Sequence, residues 1–213
     1  MTDILLRPLT PDDLSATLSI EKASFPHDPW SLEDFLDEME RPCSNVIGLF
    51  TPALPLSGGK GRPGRARAAP SFLKSLKALP EPGRAKRSLP WPPAGAPCGP
   101  PARPAGAAAF AAAPVSAYAV FWLLYGEAHL LNFAVAPERR REGLGRALLR
   151  SVLAASRALG QSRALLECRA NNRAALALYA SEGFRRLGRR KGYYEGGRTD
   201  AVVMALNLRP EAG

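Results

Sequence analysis

The sequence predicts an α/β protein: one mixed β-sheet with helices on its faces, interrupted by a long stretch that belongs to neither. Three observations predict it. Hydrophobic residues make up 46% of the 213 positions, enough for a sizeable core. Outside residues 51–115, apolar runs with the period of strands alternate with runs of helical period, in the order β-α-α-β-β-β-α-β-α-β-β. Inside residues 51–115 stand 14 of the 21 prolines and ten Lys/Arg against one acid, Glu81, so nearly all of the net charge of +10 sits there. Such a composition cannot bury enough apolar surface to offset the entropy of ordering it. The expectation is a single domain made of residues 1–50 and 115–213, with 51–114 a disordered, basic, Pro/Ala/Gly/Arg-rich insertion between the second and third strands.

Each element has its own signal. "DILLRPL" is a first strand, and Thr10-Pro11-Asp12-Asp13 starts a helix running to about Ser24, with Thr10 as cap and Pro11 in the first turn. "SLEDFLDEME" opens on a Ser-x-x-Asp capping box and is a second helix. "SNVIGLF" is a strand cut off by the insertion. "SAYAVFWLLYGEAHLLNFAVAP" is two strands joined at Tyr125-Gly126-Glu127. The next helix puts Leu144, Leu148, Val152, Ala155 and Leu159 on one face. "RALLECR" is a buried strand, and "NNRAALALYASEGF" a helix begun by Asn and ended by Gly183. "RRLGRRKGYY" and "DAVVMALNL" close the sheet around a Gly-rich turn. Within the insertion, "SFLKSLKAL" gathers Phe72, Leu73, Leu76 and Leu79 on one face, which is either a flickering helical turn or a docking element.

Several classes drop out. No window approaches eighteen apolar residues, and "MTDILLRPLTPDD" lacks the basic-then-apolar build of a signal peptide, so a cytoplasmic protein away from membranes is expected. Cys43, Cys98 and Cys168 are odd in number and far apart, which fits neither a disulfide framework nor a zinc site; no metal is expected. His27 and His129 have no partner at metal-binding spacing.

"PERRREGLGRALL" carries more chemistry than a plain amphipathic helix requires. A helix start leaves backbone N–H groups unpaired and a partial positive charge, and glycine lets that backbone approach a bulky anion. Gly143 and Gly145 thus suit a phosphate cradle, with arginines adding charge. A nucleoside-triphosphate loop would need Gly-Lys-Ser/Thr, and a dinucleotide fingerprint would need Gly or Ala where Leu148 stands. What remains is Arg/Gln-x-x-Gly-x-Gly/Ala at Arg140 to Gly145. Arg103 to Ala108 fits that pattern too, but neither follows an apolar strand nor opens an amphipathic helix.

With "FPHDPWSLEDF", "LLNFAVAPERRREGLGRALL", "LECRANNRAALALYASEGF", "RRKGYY" and "DAVVMAL" in order, the chain resembles the GNAT-superfamily N-acetyltransferases, and more narrowly the RimI type that acts on ribosomal-protein alanine. The resemblance covers roughly two thirds of the chain. It implies the GNAT fold, whose fourth and fifth strands splay apart, and acetyl-CoA in the gap as co-substrate. It places that molecule against Phe133, Ala134 and Val135, the loop Arg140, Arg141, Glu142, Gly143, Leu144, Gly145 and Arg146, and Asn172. It assigns Glu167 as proton acceptor and Tyr179 as proton donor to the leaving thiolate, with a backbone N–H near Val135 polarising the carbonyl. Trp30, Tyr193 and Tyr194 would shape the acceptor pocket. Two departures stand out: Glu142 occupies a loop position where a basic or neutral residue is commoner, and "FPHDPW" carries an extra residue.

Taken alone, Tyr179 would be core packing, Glu167 a solvated strand end, and the run Arg139 to Arg141 a solvated face; their shared context favours the functional reading. Cys168, beside Glu167, should face the other side of its strand and not act as nucleophile. The favoured function is acetyl transfer to a protein N-terminus, the N-terminal alanine of a ribosomal small-subunit protein. Open beside it are a GNAT enzyme acting on a lysine side chain or small amine, and a non-catalytic basic binding protein. The insertion could attract ribosomal RNA or another polyanion, or be an expansion without a partner.

Overall fold

In the computed structural model, residues 4–51 and 113–209 are described. Strand β1 (Leu5–Pro8) leads through a 3-10 turn (Pro11–Asp13) into α1 (Leu14–Ser24). Thr10 and Asp13 form a reciprocal capping box, and Arg7 locks it by a bidentate pair to the Asp13 carboxylate, at 2.6 and 2.8 Å. Helix α2 (Leu32–Glu40) opens on the Ser31/Asp34 box that its sequence predicts. Strands β2 (Ser44–Phe50), β3 (Val115–Leu124) and β4 (Glu127–Val135) follow. The β3–β4 turn is Tyr125-Gly126, both at positive φ (53° and 78°), the geometry whose twist matches the flanking strands. Then come α3 (Leu144–Ala158), β5 (Arg163–Arg169), α4 (Arg173–Ser181), β6 (Arg185–Tyr194) and β7 (Thr199–Asn207).

The seven strands form one sheet in the order β1-β2-β3-β4-β5-β7-β6. All neighbours are antiparallel except β4 and β5. Both faces are covered around β2, and its alternation shows it: Ile47 and Leu49 pack under α3, while Val46 and Phe50 pack under α1 and α2. The predicted stripe of α3 is buried at Leu144, Leu148, Val152 and Ala155, with Leu159 partly buried against it. Burying each of the larger of these side chains is worth roughly 1.5–3 kcal/mol. Leu149 and Leu153 turn instead to the other half of the sheet, where α4 adds Leu176 and Tyr179. Helix α3 therefore ties the two halves together.

The last pairs of β2 and β3 are Leu49↔Ala117 and Phe50↔Val115, so the chain leaves and re-enters the sheet at one place. Apart from residues 51, 113 and 114, the expected insertion lies outside the described residues. So do the "SFLKSLKAL" segment, Cys98 and the second copy of the glycine pattern at Arg103 to Ala108.

Candidate active site

The site begins where two parallel strands part. β4 and β5 pair only from Glu127↔Arg163 to Leu130↔Leu166. At that point β4 carries a bulge: Val120 pairs with Asn132 and Phe121 with Leu130, leaving Leu131 without a partner on β3. A bulge bends its strand and increases its twist, so β4 turns away from β5 while Phe133, Ala134 and Val135 stay paired to β3. Their other backbone edge faces the gap. A cavity of ≈ 150 Å³ lies there, lined among others by Leu131, Phe133, Glu167, Asn172, Tyr179 and Tyr194.

The N-terminus of α3 packs beside Phe133 and Val135 of β4. The first helical hydrogen bond is Ala147 N–H to Gly143 O, at 3.0 Å, so the N–H groups before it have no partner within the helix. Gly143 sits at φ 84°, a conformation an L side chain rarely takes. Gly145 has a packing role besides the close approach to an anion expected of it. A Cβ there would stand 3.3 Å from Val135 Cγ2 and 3.6 Å from Leu178 Cδ2, so its lack of a side chain lets α3 seat against β4 and α4.

The arginines divide up as the sequence alone could not indicate. Arg139, expected to contact phosphate, has a side chain only 12% exposed that clasps the Glu142 carboxylate. Arg140 donates to Val135 O (3.1 Å) and Ser24 Oγ (2.9 Å), bracing the loop against β4 and α1. Arg146 pairs with Glu182 at 3.2 Å. Arg141, at φ 68°, has no side-chain partner among the described residues. Asn172 caps α4, its Oδ1 accepting from Ala175 N–H at 3.1 Å.

On β5, burial alternates residue by residue, with Ala164, Leu166 and Cys168 inside. Cys168 is thus on the face opposite Glu167, and burial pushes its thiol up to about 11. Glu167 holds Arg190 of β6 at 3.1 Å, and a hydrogen bond to Glu167 is the leading cause that raises the Tyr193 phenol. Tyr179 is 6% exposed, wedged between Phe133 and Phe184, and its hydroxyl has no hydrogen-bond partner among the described residues. Burial raises its pKa strongly, so the phenol keeps its proton throughout the neutral range. Tyr194 is pushed up to about 12, first by burial. Trp30 and Tyr194 line the cavity; Tyr193, 49% exposed, does not, but stacks edge-on against Tyr194 at 4.9 Å.

Sequence reasoning missed the floor of this cavity. Glu21 is 1% exposed; it accepts from Trp30 N–H (2.8 Å), Asn132 Nδ2 (3.1 Å) and the Tyr118 hydroxyl. The signal was present, since an acid at position 21 continues the Leu14/Thr17 stripe of α1, where only a partnered carboxylate is tolerated. Arg169 was also missed. It pairs with Glu195, lies 3.9 Å from Asp28 and covers the Tyr194 ring at 4.5 Å, drawing two loops together over the site. Its partners are 26 and 141 residues away in the chain, and no local pattern announces them.

A parallel pair thus splays apart, with a carboxylate and a buried phenol on the wall of the gap. The family model for the acetyltransferase (GNAT) family matches residues 93–184, and the chain belongs to that family. Within it, the chain is 44% identical over 96 residues to the [ribosomal protein bS18]-alanine N-acetyltransferase of Escherichia coli K12, covering 44% of this chain and 65% of that one. It is 39% identical over 97 residues to the enzyme so named in Haemophilus ducreyi, covering 44% and 67%. The crystal structure of the ribosomal-protein-S18-alanine N-acetyltransferase from Escherichia coli superposes with a TM-score of 0.60 at 25% identity, covering 99% of this chain and 98% of that one.

Proposed function

We propose that the protein transfers the acetyl group of acetyl-CoA to the α-amino group of a protein N-terminus, with the N-terminal alanine of a ribosomal small-subunit protein as acceptor and the cytoplasm as its place of work. The observation that carries this is the gap opened by the Leu131 bulge, with Glu167 and Tyr179 on its walls and the α3 N-terminus packed beside β4. The names of the relatives support the choice of acceptor.

The residues present suit the co-substrate. Gly143 in its left-handed conformation and the unpaired N–H groups after it offer a pyrophosphate cradle, and Arg141 has a guanidinium to spare. The gap-facing edge of Phe133 to Val135, apart from the Val135 carbonyl that Arg140 holds, can bind the pantetheine chain by backbone hydrogen bonds. Acetyl-CoA supplies an activated thioester, to which the amine adds directly: the C–N bond forms, the C–S bond breaks, and no acyl-enzyme is needed. Glu167, on the cavity wall, accepts the amine proton directly or through a water. Tyr179, held neutral, is the donor for the departing sulfur. An α-amine titrates near ~8, so modest base assistance suffices.

A panel of short peptides differing in their first residue, assayed for acetyl-CoA consumption, tests the proposal. An alanine-first peptide should be turned over. The same peptide with a blocked N-terminus and internal lysines should be inert, and its acetylation at an equal rate would hand the site to side-chain amines.

A further inference from the structure

Glu142 is an anomaly in a loop that must accept a pyrophosphate: a carboxylate beside Gly143 would repel the ligand. The structure answers with Arg139. Its Nε lies 3.1 Å from both Glu142 oxygens and its Nη2 2.9 Å from Oε2. Its remaining arm, Nη1, donates to Thr51 Oγ1 at 2.5 Å. Thr51, fully buried, is in turn 2.7 Å from the hydroxyl of Ser116, itself 1% exposed. The guanidinium is therefore fixed from both sides, by a carboxylate it neutralises and by a buried hydroxyl pair rooted in the ends of β2 and β3.

We propose that Arg139 is a positioning residue for acyl-CoA binding: it holds the Glu142 carboxylate away from the pyrophosphate cradle and cancels its charge, with Thr51 and Ser116 as its anchor. Arg139 does not itself touch the co-substrate. The point at which residues 52–112 depart from the sheet is thereby joined, through one hydrogen bond, to the cofactor loop. The inference rests on the proposed acetyl-CoA site, and the two can fail separately.

Calorimetric titration of the full chain with CoA decides it. Parent protein that binds no CoA would defeat the proposed site itself. Given binding by the parent, Arg139→Met should weaken affinity about tenfold, as expected for a freed charge a few ångströms from a screened dianion. Adding Glu142→Gln to Arg139→Met should restore most of that loss. Thr51→Val, outside the binding machinery, should weaken affinity by a smaller factor in the same direction. In turnover assays the Arg139→Met defect should fall on KM for acetyl-CoA and leave kcat nearly unchanged. Unaltered affinity in Arg139→Met overturns the inference. So does a loss that Glu142→Gln fails to rescue, which would make Arg139 a direct phosphate ligand or a mere structural prop.

Discussion

At the scale of single residues, the site rests on a few groups whose chemistry is set by their surroundings. At φ 84°, any side chain at Gly143 is strained, and in the proposed cradle an acidic one would also oppose a pyrophosphate. Gly143→Asp should weaken acetyl-CoA binding by at least ~2 kcal/mol; calorimetry on the folded variant checks this, and unchanged affinity would remove the cradle. Glu167→Gln and Tyr179→Phe should each lower turnover by about 10²-fold or more with cofactor affinity nearly intact. The Glu167→Gln defect should shrink at high pH, where the amine deprotonates unaided. Rates within twofold of the parent for both variants would mean that neither moves a proton. Gly143 was legible at a helix start, whereas Glu167 and Tyr179 were assigned by the family resemblance. The division of labour among the arginines was not legible, because a guanidinium reaches several ångströms and chooses its partner in three dimensions.

At the scale of elements, α1 is both a cover for the sheet and the support of the α1–α2 loop. Glu21 joins it to β3 through Tyr118, to β4 through Asn132 and to the α1–α2 loop through the Trp30 N–H. Burial raises its pKa above the ordinary 4.5, and the hydrogen bonds from Tyr118, Trp30 and Asn132 only partly offset that. The folded state thus binds this proton more tightly than the unfolded chain, and the contribution of Glu21 to stability falls as pH rises from 4.5 through the raised folded value. Glu21→Gln, which cannot titrate, should destabilise by its lost hydrogen bonds, but by a margin that narrows as pH rises across that window. Urea melts of parent and variant at pH 4.5 and 7 measure it; a margin independent of pH would show that Glu21 does not titrate there. The element boundaries were legible because caps and periodicities are local. The Leu131 bulge was not, since a bulge exists only relative to the strand it pairs with.

At the scale of the whole molecule, β2 and β3 are hydrogen-bonded neighbours whose ends meet, as expected of a domain that can close without residues 52–112. Replacing residues 51–114 by a two-residue turn should leave a folded protein whose activity on a free peptide stays within a fewfold, because a long loop between adjacent strands adds little closure entropy. Thermal melts and the peptide assay check this. Failure to fold would move the domain boundary, and a larger loss of activity would point to the Thr51 anchor, which the deletion removes. The basic segment, if it attracts a polyanion, should confer ribosome binding that falls steeply with salt and is absent from the deleted protein. The sequence by itself determined the order of elements and the glycine-bearing helix start, for these depend on periodicity, capping and short spacing, while the candidate acid and base were assigned by the family resemblance. The tertiary structure alone decided where β4 leaves β5, that Glu21 would be the floor of the cavity and that Arg139 would guard Glu142. Those depend on contacts between residues far apart in the chain, whose energies exist only once the sheet has brought them together.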